Sequence, residues 1–149
     1  MNRKPYPFKQ LEVNQFFFIS EGRKRIAKGI NFMQIADNVV NLCFGDLSPD
    51  GSVDDTVNSN NGDIVKIMST VLDVLRQFCL QHPDMQVYIE GSTALRTMLY
   101  TRILKNYYTT LSREFSIMCI IKDDDSFELV SYDPLFDLQY WAFLIKRKS

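Results

Sequence analysis

The chain predicts a single α+β domain over residues 1–149 with a mixed sheet, on three observations. Between Asn58 and Tyr108 two helical patterns flank one short β-rich segment. Ahead of that unit, from Leu11 to Phe44, β-type segments alternate with polar turns, the pattern of an antiparallel meander. Behind it, Phe115 to Lys146 holds three more β-type segments, which predict a terminal β hairpin. The order is strand-strand-strand-loop-helix-strand-helix-strand-strand-strand, a layered arrangement around one core.

Each element follows from local chemistry. Lys4 to Lys9 carries Pro5 and Pro7 and reads as an extended arm. Leu11 to Ser20 contains Phe16, Phe17 and Phe18 in succession, which suits a strand covered on both faces. Glu21-Gly22 and Asp37-Asn38 supply turns around a second strand, Ile26 to Ile35, and a third runs from Val39 to Phe44. Gly45 to Gly62 carries almost no apolar residue and reads as a long loop. Ile64 to Gln81 is the clearest helix, with a wide apolar stripe, N-cap candidates at Asn60, Asn61 and Asp63, and Pro83 beyond its end. Gln86 to Glu90 is a short strand, and Ser92 or Thr93 caps a helix from Ala94 to about Tyr108. Phe115–Ile121, Phe127–Tyr132 and Gln139–Lys146 are the last strands.

Composition bounds the function. A hydrophobic fraction of 46% and a charged fraction of 23% are those of an ordinary water-soluble protein. No apolar run reaches the roughly 18–20 residues of a membrane span, so no membrane partner is expected. The basic N-terminus lacks the apolar segment of a secretory signal. Cys43, Cys79 and Cys119 stand far apart in apolar contexts, and with His82 as the only imidazole they form no zinc pattern. Reduced, buried thiols in a cytoplasmic protein are the expectation. The net charge of -1 argues against nucleic acid as the main partner. The basic clusters Arg23-Lys24-Arg25-Lys28 and Lys146-Arg147-Lys148 leave weak nucleic-acid binding as a lesser expectation.

The order of elements resembles the core of the GCN5-related acyltransferase fold over about Phe16 to Lys146. That resemblance implies an acyl-CoA cofactor held on a glycine-containing turn before the long helix. The equivalent turn here is Asn58-Ser59-Asn60-Asn61-Gly62-Asp63, with one Gly and an Asp near the phosphates. It also implies a general acid at Tyr100, from the Leu99-Tyr100 pair on the second helix. The stretches FFFISEG, SNNGD and GSTALRTMLY are similar to a family of uncharacterised small bacterial proteins, a likeness that implies no function.

Two candidate sites follow from the residues themselves. Gly91-Ser92-Thr93 lies between a strand and a helix, where free amides and a helix dipole favour phosphate or carboxylate. Arg96, one turn into that helix, could reach an anion held there. Asp46, Asp50, Asp54, Asp55 and Asp63 lack the ligand spacing of a calcium loop. The leading expectation is a phosphate-bearing small molecule, such as an acyl-CoA, held by Asn60, Asn61, Gly62, Gly91, Ser92, Thr93 and Arg96. The competing expectation is a non-enzymatic module that has lost the cofactor turn and binds a protein partner or its own copy.

Overall fold

The structure, a computed structural model, describes residues 4–54, 61–91, 94–136, 138 and 140–148, apart from the side chains of residues 94, 95 and 123. Its strands are β1 (Phe8–Glu12), β2 (Gln15–Glu21), β3 (Arg25–Ala36), β4 (Val39–Leu47), β5 (Val53–Asp54), β6 (Gln86–Ile89), β7 (Phe115–Asp123), β8 (Ser126–Ser131) and β9 (Tyr140–Arg147). Its helices are α1 (Ile64–Gln81), α2 (Ala94–Asn106) and α3 (Tyr108–Glu114). The fold is α+β with a mixed sheet, as the sequence predicts. Two compact units divide the chain: Met1–Met33 with Asn41–Phe78, and Gln34–Val40 with Cys79–Ser149.

The first unit carries the meander β1-β2-β3-β4, with the short β5 returning against β4. The expected single strand Leu11 to Ser20 is in fact two strands, because Val13-Asn14 forms a turn and β1 folds back on β2. In the β2–β3 register Phe16 lies opposite Ile30 and Phe18 opposite Lys28. Residues directly opposite share a face, so Phe16, Phe18, Ser20, Lys28, Ile30 and Phe32 all project to the buried side. Phe17 and Ile19, on the other side, are only half-buried, so β2 is covered fully on one face. Helix α1 lies on the buried side, its Phe78 ring stacked on Phe32 at 3.9 Å with an 8° tilt. Its buried positions Ile67, Val71, Val74, Leu75 and Phe78 recur at helical spacing. Burying each such side chain is worth about 1.5–3 kcal/mol. On the opposite face, beside Phe17, Gly29 leaves room for β5, since a Cβ there would come within 2.7 Å of Val53.

The second unit orders its strands β6-β9-β7-β8. β7 and β8 make a regular hairpin through Asp124-Asp125, with Asp124 in the left-handed region (φ 51°). β9 does not extend from β8 but pairs with both β6 and β7, so it lies between them in the strand order. One face buries Val87, Ile117, Cys119, Phe143 and Ile145, with Tyr132 and Tyr140 packed edge-on nearby. The expected helix to Tyr108 stops at Asn106, and a further helix, α3, follows Tyr107. No Gly or Pro stands between Gly91 and Pro134, so nothing in the sequence marks that break. Leu111 of α3 is buried, which gives the short helix its anchor.

Candidate functional site

The turn before α1 is the first place to look for a ligand, and its side chains are largely engaged by the fold itself. Asp63 sits just ahead of the helix and its carbonyl accepts from Ile67 N at 2.9 Å, the first helical bond. Its carboxylate Oδ2 accepts from Tyr6 Oη and from Ser20 Oγ, both at 2.5 Å. Asn61 donates through Nδ2 to Ser20 Oγ (2.9 Å) and to the Lys24 carbonyl (2.7 Å), while its Oδ1 accepts from Lys24 N (2.7 Å). The Asn61 carbonyl accepts from Arg23 N at 2.8 Å. These bonds tie the β2–β3 turn to the start of α1, and Asn61 and Asp63 are both buried.

Tyr6 closes the same cluster from the N-terminal arm. Its amide donates to Thr70 Oγ1 (2.8 Å), its ring stacks on Phe18, and the Lys66 ammonium sits 4.4 Å from its centroid. Burial, and then the hydrogen bond to Asp63, push its phenol above the usual tyrosine range. Gly22 is required by the close approach, since a Cβ there would lie 1.8 Å from the Asn61 carbonyl oxygen. Asp63 Oδ1 is buried and has no hydrogen-bond partner among the described residues.

Gly62 is different. It is exposed, it takes a positive φ of 82°, and the Arg23 side chain lies alongside, its Nε 3.6 Å from where a Cβ would be. Arg23 brings a cation to the turn that sequence spacing alone did not place there. Asn60 falls outside the described residues.

In the second unit, Gly91 is half-buried because the first turn of α2 presses on it: a Cβ would sit 2.2 Å from Thr97 N. Arg96 is half-buried on α2 and Tyr100 is 6% exposed. Ser92 and Thr93 lie outside the described residues.

Strands take in part of the expected Gly45–Gly62 loop, for Asp46 lies on β4 and Asp54 on β5. Asp46 pairs with the buried Lys28 ammonium at 2.5 Å. Asp50 accepts from the amide and hydroxyl of Ser52, which hold its carboxyl below the usual range. Asp54 lies opposite Asp46 in the β4–β5 pairing, and Asp55 is outside the described residues. Lys28 therefore leaves the basic cluster, of which Arg23, Lys24 and Arg25 are exposed and Arg25 pairs with Glu21 at 3.3 Å. Burial pushes the Cys79 thiol up to about 12 and raises Cys119, so neither is a ready nucleophile.

Sequence reasoning missed the face of the second unit's sheet opposite its buried side. Lys122 lies opposite Phe127, Ile120 opposite Leu129, and Met118 opposite both Ser131 and Leu144. Phe127 and Leu129 are 57% and 54% exposed, and Trp141 is 40% exposed. The Phe127 and Trp141 rings meet edge-on at 5.4 Å, with the Lys122 ammonium 5.9 and 5.4 Å from their centroids. Tyr88 donates to Glu90 Oε2 at 2.7 Å. Burial and that carboxylate push its phenol up to about 12, against a lowering hydrogen bond with Trp141. The available signal was the Phe127–Leu129 alternation, but Phe127 to Tyr132 is apolar at both parities, so the sequence did not say which side faced water.

Residues 2–148 match the model of a family of unknown function, DUF6934. The chain belongs to that family. The DUF6934 match takes in every strand and helix of both units. No curated protein and no solved structure matches the chain. No described helix is long and apolar enough to cross a membrane.

Proposed function

We propose that this DUF6934 protein is a non-enzymatic interaction module whose docking surface is the exposed face of β6-β9-β7-β8. The observation that carries the reading is the ring pair Phe127–Trp141, held with Leu129 on the sheet surface, Trp141 standing at the register shift between β7 and β9. Exposed aromatic and aliphatic side chains on a rigid face are what protein interfaces are built from. The Asn61–Asp63 turn supports the same conclusion, because its buried polar atoms other than Asp63 Oδ1 bond to Tyr6, Ser20 and Lys24.

A second reading rests on Arg23. Its side chain beside exposed Gly62, at the start of α1, supplies positive charge for a phosphate-bearing small molecule such as CoA or an acyl-CoA. Thermal unfolding with CoA, acetyl-CoA and ATP separates the two. A ligand present at a hundred times its dissociation constant stabilises the folded state by about 2.7 kcal/mol. For a domain of this size that raises the midpoint by roughly 5–10 °C. The interaction reading expects no shift. A shift lost in Arg23→Ala would replace it with the ligand reading.

A further inference from the structure

We propose that a second copy of this chain pairs antiparallel with the outer edge of β8, about a two-fold axis through Leu129. The inference rests on the interaction reading and names a partner that joins that face along its β8 edge rather than stacking on it.

An end strand leaves backbone donors and acceptors pointing outward, and proteins ordinarily blunt such an edge. β1, the end strand of the first unit, is blunted in three of the usual ways. It follows Pro7, carries Lys9 and Glu12, and shifts register between Gln10 and Glu12. β8, the end strand of the second unit, has fewer of these devices. It runs six residues with unbroken register against β7, has no Pro, Lys or Arg, and bears the single charge Glu128. All its residues except Val130 are exposed, and Val130 is half-buried.

The strand's own sequence fits a second copy in one register. A two-fold axis perpendicular to the sheet keeps each face continuous, so residues directly opposite must share a face. Centring on Glu128 sets that carboxylate against itself, which is unfavourable. Centring on Val130 sets the partner's Tyr132, which lies beyond the strand, opposite Glu128. Centring on Leu129 sets it against the partner's Leu129, with Glu128 opposite the partner's Val130 and Phe127 opposite the partner's Ser131. That register uses the strand from Phe127 to Ser131 and brings both Phe127–Trp141 pairs onto one extended face. A chain with net charge -1 presents little overall repulsion to its own copy.

The test uses the full chain carrying Cys43→Ser, so that the half-buried native thiol is silent. Light-scattering mass across a concentration series should show a dimer. Leu129→Lys, which sets two ammonium groups on the axis, should give a monomer with an unchanged far-UV circular dichroism spectrum. Leu129→Cys should oxidise to a covalent dimer, since opposed Cα atoms about 4.5–5.5 Å apart fall inside the disulfide range. Phe127→Cys should not, because the two copies of residue 127 would stand four positions apart, about 13 Å. A monomer at every concentration overturns the proposal, and so does a dimer that survives Leu129→Lys while Leu129→Cys fails to cross-link. Either result without a CoA-dependent thermal shift leaves the interaction reading standing, whereas a CoA shift overturns the reading itself.

Discussion

The two units use polar and aromatic side chains in opposite ways. In the first, Tyr6, Phe16, Phe18, Phe32 and Phe78 are buried, and the polar groups among them are spent on one another around Asp63. In the second, Phe143, Tyr132 and Tyr140 fill a core, yet Phe127 and Trp141 remain at the surface on the other side of the same strands. The turn that looks most like a ligand site is largely a fastening between β2, β3 and α1. The face that looks like ordinary strand sequence is the one left for a partner. A polar motif indicates a site only when its donors and acceptors are not already paired within the fold.

The largest effects should come from each core. Phe16→Ala and Phe143→Ala each remove a ring with no solvent exposure and should cost about 3–5 kcal/mol in urea denaturation. Coincident loss of far-UV and near-UV signals in both variants would mean that the units melt together. Separate transitions would sharpen the contrast between them.

Next comes the fastening at Asp63. Asp63→Ala leaves the Tyr6 and Ser20 hydroxyls without their acceptor and should cost about 2–3 kcal/mol. Tyr6→Phe removes one of those bonds and should cost about 1 kcal/mol, measured the same way. If Asp63→Ala instead matched wild type, the cluster would not be what joins the turn to α1.

Alkaline pH acts on raised phenols in both units, Tyr6 in the first and two in the second. In the second unit Tyr88 and Tyr132 have phenols pushed from 10.0 up to about 12, chiefly by burial. In the unfolded chain they ionise near the ordinary value, so the unfolded state loses protons first as pH rises. Stability is then full below pH 10.0 and falls as pH climbs toward 12. Tyr132→Phe should flatten that fall in urea midpoints taken at stepped pH. A fall of the same steepness in this variant would assign the effect elsewhere.

The smallest stability change belongs to the exposed face. Phe127→Ser should alter the urea midpoint by no more than about 0.5–1 kcal/mol, since the ring is more than half exposed. Its effect should appear instead as weakened self-association in sedimentation velocity. A large loss of stability with association intact would make Phe127 a packing residue and narrow the difference between the units.

Local chemistry was enough for much of the fold. Helix α1 starts at Ile64 and stops at Gln81 as its stripe and Pro83 indicate, because an 18-residue amphipathic segment carries its own signal. β6, β7 and β8 likewise fall within two residues of their sequence limits. The break at Tyr107 was not legible, since α3 depends on the burial of Leu111 rather than on a Gly or Pro. Nor was the division of Leu11 to Ser20 into two strands, which depends on β1 finding β2.

The candidate residues divide in the same way. Sequence alone determined that Gly62, Asp63 and Gly91 stand at helix entrances, because Gly and Asp are favoured there by backbone freedom and capping. Only tertiary structure decided that Asn61 and Asp63 turn inward to Ser20, Lys24 and Tyr6, and that Arg23 lies along Gly62. These partners are separated by some 40–60 positions, and no local rule of spacing connects them. Tertiary structure likewise decided that Phe127 and Trp141 face outward, because a strand apolar at both parities acquires an inside only when helices or other strands cover one face.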